Sequence, residues 1–243
     1  MANFELIQFA NADELASRVA TLWLDEIETA NRAGKSHGVA LSGGRITQKF
    51  FTSTVEQAKA RKVSFERVHF FWADERCVPP TDPESNFKMA NDLLFAPLKI
   101  SEKQIHRIRG EDSPEVAVKI VEEELRRFAS RNPDNQPVLD LIFLGMGEDG
   151  HVASLFPNAS VKILDARASF VVVENSPKPP PLRVSLSYIA IVAAKQVWVL
   201  ASGGGKESAL SESLKSNGKT PLAKVIQSRS GTKIYADIKI SNL

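Results

Sequence analysis

Apolar and polar positions along this chain switch repeatedly between a helical period and short buried runs. Asp13 to Asn31 carries Leu15, Val19, Leu22, Trp23 and Ile27 at helical spacing, with Asn11 or Asp13 as its cap. Gly38 to Leu41 predicts a short buried strand, broken at Ser42-Gly43-Gly44, and a helix is expected to follow through about Lys59. Arg67 to Trp72 predicts another strand, ending at Ala73-Asp74-Glu75-Arg76. A proline-rich loop, Val78 to Pro83, separates it from a helix at about Ser85 to Phe95. Ser113-Pro114 opens an amphipathic helix that reaches about Ser130, proline being favoured in a first helical turn. Arg131 to Pro137 reads as a linker.

The apolar run Leu139 to Leu144 predicts a buried strand. It ends in a turn holding three glycines, two acids and a histidine: Gly145, Gly147, Glu148, Asp149, Gly150 and His151. Ala168 to Glu174 predicts a strand and Asn175 to Leu182 a proline-rich loop, a candidate lid. Val184 to Ala194 fits helix or strand. Gln196 to Ala201 is a strand that ends in Ser202-Gly203-Gly204-Gly205-Lys206, and two helices and a strand at Lys233 to Asp237 follow. Strands alternating with helices predict an α/β fold, a largely parallel sheet with helices on both faces. Parallel strands would bring the loops at 42–45, 74–76, 145–151 and 202–206 to one sheet edge, where such folds bind ligands. The 243 residues are read as a single domain over 1–243, with room for a small additional lobe.

Composition narrows the function. The chain is 43% hydrophobic and 25% charged with net charge +2, and its Lys and Arg are dispersed, so no nucleic-acid partner is expected. A small anion, needing only a few well-aimed cations, remains compatible. The single cysteine, Cys77, allows no internal disulfide and no cysteine-based zinc site. The start, MANFELIQFANADEL, lacks the basic and apolar segments of a secretory leader, and no apolar run is long enough to span a membrane. A cytoplasmic protein is expected; no oligomeric state is implied.

The candidate chemistry centres on His151. A neutral imidazole on a tight turn can act as general base near pH 7, and Asp149 is expected to fix its tautomer and raise its basicity. Gly145, Gly147 and Gly150 formally match a dinucleotide fingerprint, but Pro157 leaves less than two turns of helix behind them, and two carboxylates would repel a pyrophosphate. Ser42-Gly43-Gly44 can cradle a phosphate with backbone N–H groups, and Lys206 at a helix start offers a second site or a solvated charge. Neither is a Walker A loop: the first lacks the lysine, and Glu207 follows Lys206. Arg76 can clamp an anion or meet an oxyanion, or join an internal ion pair. Arg183 can enter the same pocket or form a structural salt bridge. There is no G-x-S-x-G elbow and no H-E-x-x-H, and His37, His69 and His106 show no metal-ligand spacing with His151. His69 reads as a packed core histidine, and Cys77 has no adjacent histidine partner.

LSGGR at 41–45, WADERCVPPTDPESN at 72–86, GMGEDGHVASLFP at 145–157 and RVSLSYI…VWVLASGGGK within 183–206 together resemble the 6-phosphogluconolactonases. Their superfamily also contains glucosamine-6-phosphate deaminases. The resemblance implies a Rossmann-like α/β fold and hydrolysis of 6-phospho-D-glucono-1,5-lactone to 6-phosphogluconate in the oxidative pentose phosphate pathway, with no metal or organic cofactor. It implies that His151 activates water for attack on C1, that Asp149 supports it, and that Arg76 or turn amides stabilise the oxyanion. The substrate and its phosphate would lie among Ser42, Gly43, Gly44, Arg45, Asp74, Gly147, Arg183 and Lys206. In deaminases the histidine motif resembles GHIAFNEP with a catalytic glutamate; here His151 to Pro157 holds no acid, and Arg76 stands where deaminases carry tyrosine. An isomerase or deaminase of the superfamily, or a non-catalytic sugar-phosphate sensor, are the alternative readings. Relatives usually read SGGS or SGGT followed by x-Pro, whereas Arg45-Ile46-Thr47 follow here, so Arg45 either replaces a lost hydroxyl contact with a cation or points to solvent.

Overall fold

The structure is a computed structural model that describes residues 3–240; Met1 and Ala2, which open the stretch read for a leader, and residues 241–243 lie outside it. The chain runs through β1 (Phe4–Gln8), α1 (Ala12–Arg32), β2 (His37–Leu41), α2 (Arg45–Arg61), β3 (Val68–Trp72), β4 (Asp74–Arg76) and α3 (Asn86–Ala90). A π-helical turn at Asn91–Phe95 leads into α4 (Ala96–Leu98), and a 3-10 turn at Glu102–Gln104 precedes α5 (Pro114–Phe128). There follow β5 (Ser130–Arg131), β6 (Pro137–Val138), β7 (Leu141–Gly145), α6 (Val161–Leu164), β8 (Phe170–Val173) and β9 (Arg183–Leu186). The last elements are α7 (Tyr188–Ala193), β10 (Gln196–Ala201), α8 (Glu207–Leu214), α9 (Pro221–Ser228) and β11 (Thr232–Ala236).

Six strands form a wholly parallel sheet in the order β1-β11-β10-β7-β2-β3. From β2 the chain moves outward to β3, whereas β7, β10 and β11 progress in the opposite direction. The order therefore reverses between β2 and β7, and a crevice opens there at the strands' carboxyl ends. The central strands are nearly continuous apolar runs because helices cover both faces. Trp23 of α1, Phe50 of α2 and Phe143 of β7 meet edge-on or tilted with ring centroids 4.7–5.5 Å apart and are almost fully buried. Each such side chain contributes roughly 1.5–3 kcal/mol on leaving water. Among the described residues no helix is long and apolar enough to cross a membrane.

A second, three-stranded antiparallel sheet, β4-β9-β8, stands beside the crevice. It resolves the ambiguity at 184–194: the segment is a strand to Leu186, then a helix from Tyr188, with the Ser187 hydroxyl accepting from the Ala190 N–H. The expected linker at 131–137 is mostly the loop of a small hairpin, since β5 pairs with β6. The helix expected at Ser85–Phe95 begins at Asn86, capped by Ser85, and loosens into the π-turn after Ala90. Asn11 caps α1 as expected, accepting from the Asp13 and Glu14 N–H groups. β1 had no counterpart in the sequence reading: its residues are only partly buried, and its one neighbour, β11, lies more than 220 positions away.

Candidate active site

β7 delivers the glycine turn into the crevice. The Gly147 N–H donates to the His151 carbonyl at 2.9 Å and the Gly150 N–H to the Gly147 carbonyl at 3.1 Å, which folds the turn back on itself. Gly150 sits at φ +77°, a left-handed conformation that favours glycine. Val152 and Leu155 are fully buried and anchor the outgoing arm of the turn. Beyond them the chain runs as turns and isolated bridges until α6 begins at Val161, so no helix N-terminus backs the glycines and the dinucleotide match stays formal.

Asp149 Oδ1 lies 2.5 Å from His151 Nδ1 and also accepts from the His151 backbone N–H at 3.2 Å. The carboxylate therefore holds the Nδ1–H tautomer and leaves Nε2 with a free lone pair. The imidazole rests on Phe156 with centroids 4.6 Å apart. Asp149 raises the proton affinity of the ring as expected, but it is not the largest influence. Burial lowers the His151 pKa below the usual 6.5 and outweighs the opposing pull of Asp149, while the Lys178 charge pushes the same way as burial. Desolvation favours the neutral ring more than one adjacent carboxylate favours the cation.

The DER segment is held from beneath by Glu75. Its carboxylate accepts from the backbone N–H groups of Arg76, Asn86 and Phe87, each at 2.8 Å, and from the Ser85 hydroxyl at 3.1 Å. Burial pushes its pKa up to about 6 against those bonds. Asp74 is buried, with Oδ2 accepting from the Ser154 hydroxyl at 2.6 Å. Arg76 pairs with neither neighbouring acid side chain; its Nη1 donates to the Glu84 carbonyl at 2.6 Å and reaches the Glu84 carboxylate at 3.3 Å.

The turn after β2 lies directly across the crevice. The Ser42 hydroxyl donates to the Phe143 carbonyl at 2.8 Å, tying the ends of β2 and β7 together. Gly44, at φ +107°, caps α2 without any side-chain bond, and no acid occupies the first turn. The amino end of a 17-residue helix thus opens on the crevice with unpaired N–H groups, a site that favours anions. Arg45 is exposed at that helix start, and Lys206 stands at the start of α8, where its ammonium makes no hydrogen bond or ion pair to another described residue. Burial and the nearby Arg45 charge lower the Lys206 pKa, while Glu148 and Asp237 oppose them.

Ser42, Gly43, Gly44, Arg45, Asp74, Arg76, Gly147, His151, Arg183 and Lys206 all line one cavity of about 510 Å³. Asp149 stands behind His151 as its hydrogen-bond partner. Lys49, Asn86 and Lys178 line the same cavity and were not singled out from sequence; Glu148, named there only as an acid of the glycine turn, lines it too. Among the residues lining the cavity, Arg45, Lys49, Arg76, Lys178, Arg183 and Lys206 stand against the carboxylates of Asp74 and Glu148, so a chain of net charge +2 concentrates positive charge here. Asn86 had a usable signal in its place in the PESN run after the DER strand. Lys178 had none, because its placement depends on contacts across the molecule.

The sequence profile of the glucosamine-6-phosphate isomerases/6-phosphogluconolactonase family matches residues 10–235. The chain belongs to this family. It is 37% identical over 172 residues to a 6-phosphogluconolactonase of Treponema pallidum, covering 71% of this chain and 70% of the relative. It is 35% identical over 202 residues to the 6-phosphogluconolactonase of Haemophilus influenzae, covering 82% and 84%. Family members of known structure superpose closely. A 6-phosphogluconolactonase from Thermotoga maritima aligns with TM-score 0.79 at 27% identity, covering 96% of this chain and 98% of the other. A monomeric glucosamine-6-phosphate deaminase aligns with TM-score 0.78 at 18% identity, covering 96% of each chain, so the family fold alone does not separate its two chemistries.

Proposed function

We infer that this chain, acting as a single domain, hydrolyses 6-phospho-D-glucono-1,5-lactone to 6-phosphogluconate, the second step of the oxidative pentose phosphate pathway. The observation that carries the reading is the His151–Asp149 pair set in a cationic cavity with no carboxylate between His151 and Pro157. The identity to 6-phosphogluconolactonases over most of the chain supports it.

In this reading water is the nucleophile. His151 Nε2 takes its proton as oxygen attacks C1, and Asp149 stabilises the imidazolium that forms. The lactone carbonyl becomes an oxyanion, met by cations lining the cavity, Arg76 among them. Collapse breaks the bond to the ring oxygen, which takes the proton back from His151. The product acid then ionises. A lactone is already electrophilic, so a positioned base and an oxyanion site supply the catalysis. The phosphate lies at the α2 end, against the Ser42-Gly43-Gly44 turn, Arg45 and Lys206. Asp74, held by Ser154, borders the sugar. The compartment assigned is the cytoplasm, and the ligand is a small phosphorylated sugar lactone.

The test generates the lactone in situ with glucose-6-phosphate dehydrogenase and follows its disappearance with wild type and His151→Ala. Wild type is expected to accelerate hydrolysis and the variant to fall to near the spontaneous rate. Equal acceleration by both removes His151 from its role. Ammonia release from glucosamine 6-phosphate would move the chain to the deaminase branch, and binding without turnover would make it a sensor.

A further inference from the structure

The loop between β8 and β9 is gathered onto one buried guanidinium. Arg183 Nε donates to the Pro180 carbonyl at 3.0 Å, and its Nη2 donates to the Lys178 carbonyl at 2.9 Å and the Pro179 carbonyl at 3.2 Å. Three successive carbonyls converge on a side chain that is 5% exposed. Ser176 grips the same residue from the other side. Its hydroxyl donates to the Lys178 carbonyl at 2.8 Å and accepts from the Lys178 N–H at 3.2 Å. Both backbone groups of Lys178 are therefore satisfied, and its Cα is fixed in space. Arg183, read from sequence as a substrate contact, gives most of its donors to this loop. Its remaining nitrogen, Nη1, lies 3.5 Å from the Ser154 hydroxyl and 4.0 Å from Asp74 Oδ2.

The Lys178 side chain is exposed and lines the cavity with His151 and Lys206, and its ammonium makes no hydrogen bond or ion pair to another described residue. Other cavity cations share their charge with a carboxylate or lie elsewhere, so Lys178 would add an undivided charge to that of Arg76. Arg76 is paired with Glu84, Lys49 with Asp13, and Arg45 sits at the α2 end beside Lys206.

We propose that Lys178 is a further catalytic residue, whose ammonium meets the oxyanion formed at the attacked carbon, and that Arg183 is a positioning residue that holds it there. The proposal rests on the lactonase reading above. Lys178 keeps its proton throughout: the charge neutralised is that of the former carbonyl oxygen, while His151 carries the proton from water to the ring oxygen. The groups facing His151 agree with this placement. Asp149 on its own turn and Asp74 on β4 raise its proton affinity, and the Lys178 charge lowers it. Lys178, His151 and Lys206 line the same cavity, so the ammonium shares it with both the base and the anion-binding end.

Two measurements on Lys178→Met test this. Loss of an oxyanion donor lowers kcat by about 100- to 1,000-fold with KM changing little, and Lys178→Arg recovers part of it. Independently of turnover, the His151 imidazole followed by NMR titrates at higher pH in Lys178→Met than in wild type, because a cation that disfavoured its protonated form is gone. A raised KM with unchanged kcat makes Lys178 a phosphate contact and overturns the proposal. An unmoved His151 titration places the ammonium in solvent and also overturns it. Wild type that hydrolyses no lactone sinks the functional reading instead, and the titration then still decides where the ammonium lies. Arg183→Gln is expected to reproduce the titration shift. Should that variant fail to fold, Ser176→Ala frees Lys178's amide and carbonyl without removing a charge and is expected to give a smaller shift in the same direction; no shift there overturns the positioning role.

Discussion

Gly147 and His151 approach so closely that only glycine fits between them: a Cβ at Gly147 would lie 2.0 Å from His151 Nδ1 and 2.8 Å from Asp149 Oδ1. Gly147, read from sequence as a substrate contact, thus makes room for the imidazole and its carboxylate partner. Gly147→Ala must push the ring off Asp149. The expected result is a kcat loss within the range of about 100- to 10,000-fold that a general base contributes, with the fold intact by circular dichroism. Retained activity would mean that the ring works from another position.

Asp149→Asn separates tautomer control from basicity. Asp149 raises the His151 pKa, so its removal lowers that pKa further and moves the acid limb of the pH–rate profile to lower pH. The plateau falls too, since asparagine does not hold the Nδ1–H tautomer, by about 100-fold or more. In wild type the acid limb is expected below pH 6.5, because burial lowers the His151 pKa. A limb that moves upward in the variant contradicts the assignment.

Arg45→Ala probes the anion-binding end. The residue is exposed at the open amino end of α2, so the fold does not depend on its side chain. Loss of a charge-assisted phosphate contact raises KM on the order of tenfold at unchanged kcat, and the penalty shrinks with added salt. An unaltered KM would leave Arg45 in solvent.

Gly43 and Asn86 couple the two loops that border the cavity. A Cβ at Gly43 would fall 2.0 Å from Asn86 Oδ1, and Asn86 is itself buried and donates to the Asp74 carbonyl at 2.9 Å. Gly43→Ala is expected to cost about 1–3 kcal/mol by overpacking. In an Asn86→Ala background the obstacle is gone and the same change costs less, so urea unfolding of the double-mutant cycle shows coupling of about 0.5–3 kcal/mol. Additive effects would refute the contact.

Acid stability follows from the histidines. Burial lowers the pKa of His37, His69, His106 and His151 below 6.5. Below that value the unfolded chain binds more protons than the folded one, so the stability is present above pH 6.5 and lost as pH falls through the folded values. Glu75 acts in the opposite sense, its pKa raised from 4.5 to about 6, so the folded state gains there as pH falls. Four imidazoles against one carboxyl predict a Tm that declines as pH drops from 7 toward about 5.5. A constant or rising Tm would contradict the buried, neutral state of these rings.

Most of the central sheet and the core of the site were legible because their signals are local. An apolar run that stops at glycine marks a buried strand end, and a parallel sheet places all such ends on one edge, so the turns at 42–45, 74–76, 145–151 and 202–206 could be assigned to one pocket before any contact was known. The pairing of Asp149 with His151 is likewise local, two residues apart on one turn. Long-range packing settled the rest. β1 is half exposed and exists as a strand only through β11; the 183–186 segment is a strand only because β4 and β8 flank it. The net basicity of His151 is set more by how much water the surrounding elements exclude than by the acid beside it. Arg183 and Lys178 show the same division: a charge in the sequence fixes what a side chain can bind, but which carbonyls or anions it meets is set by elements that touch only once the chain has folded.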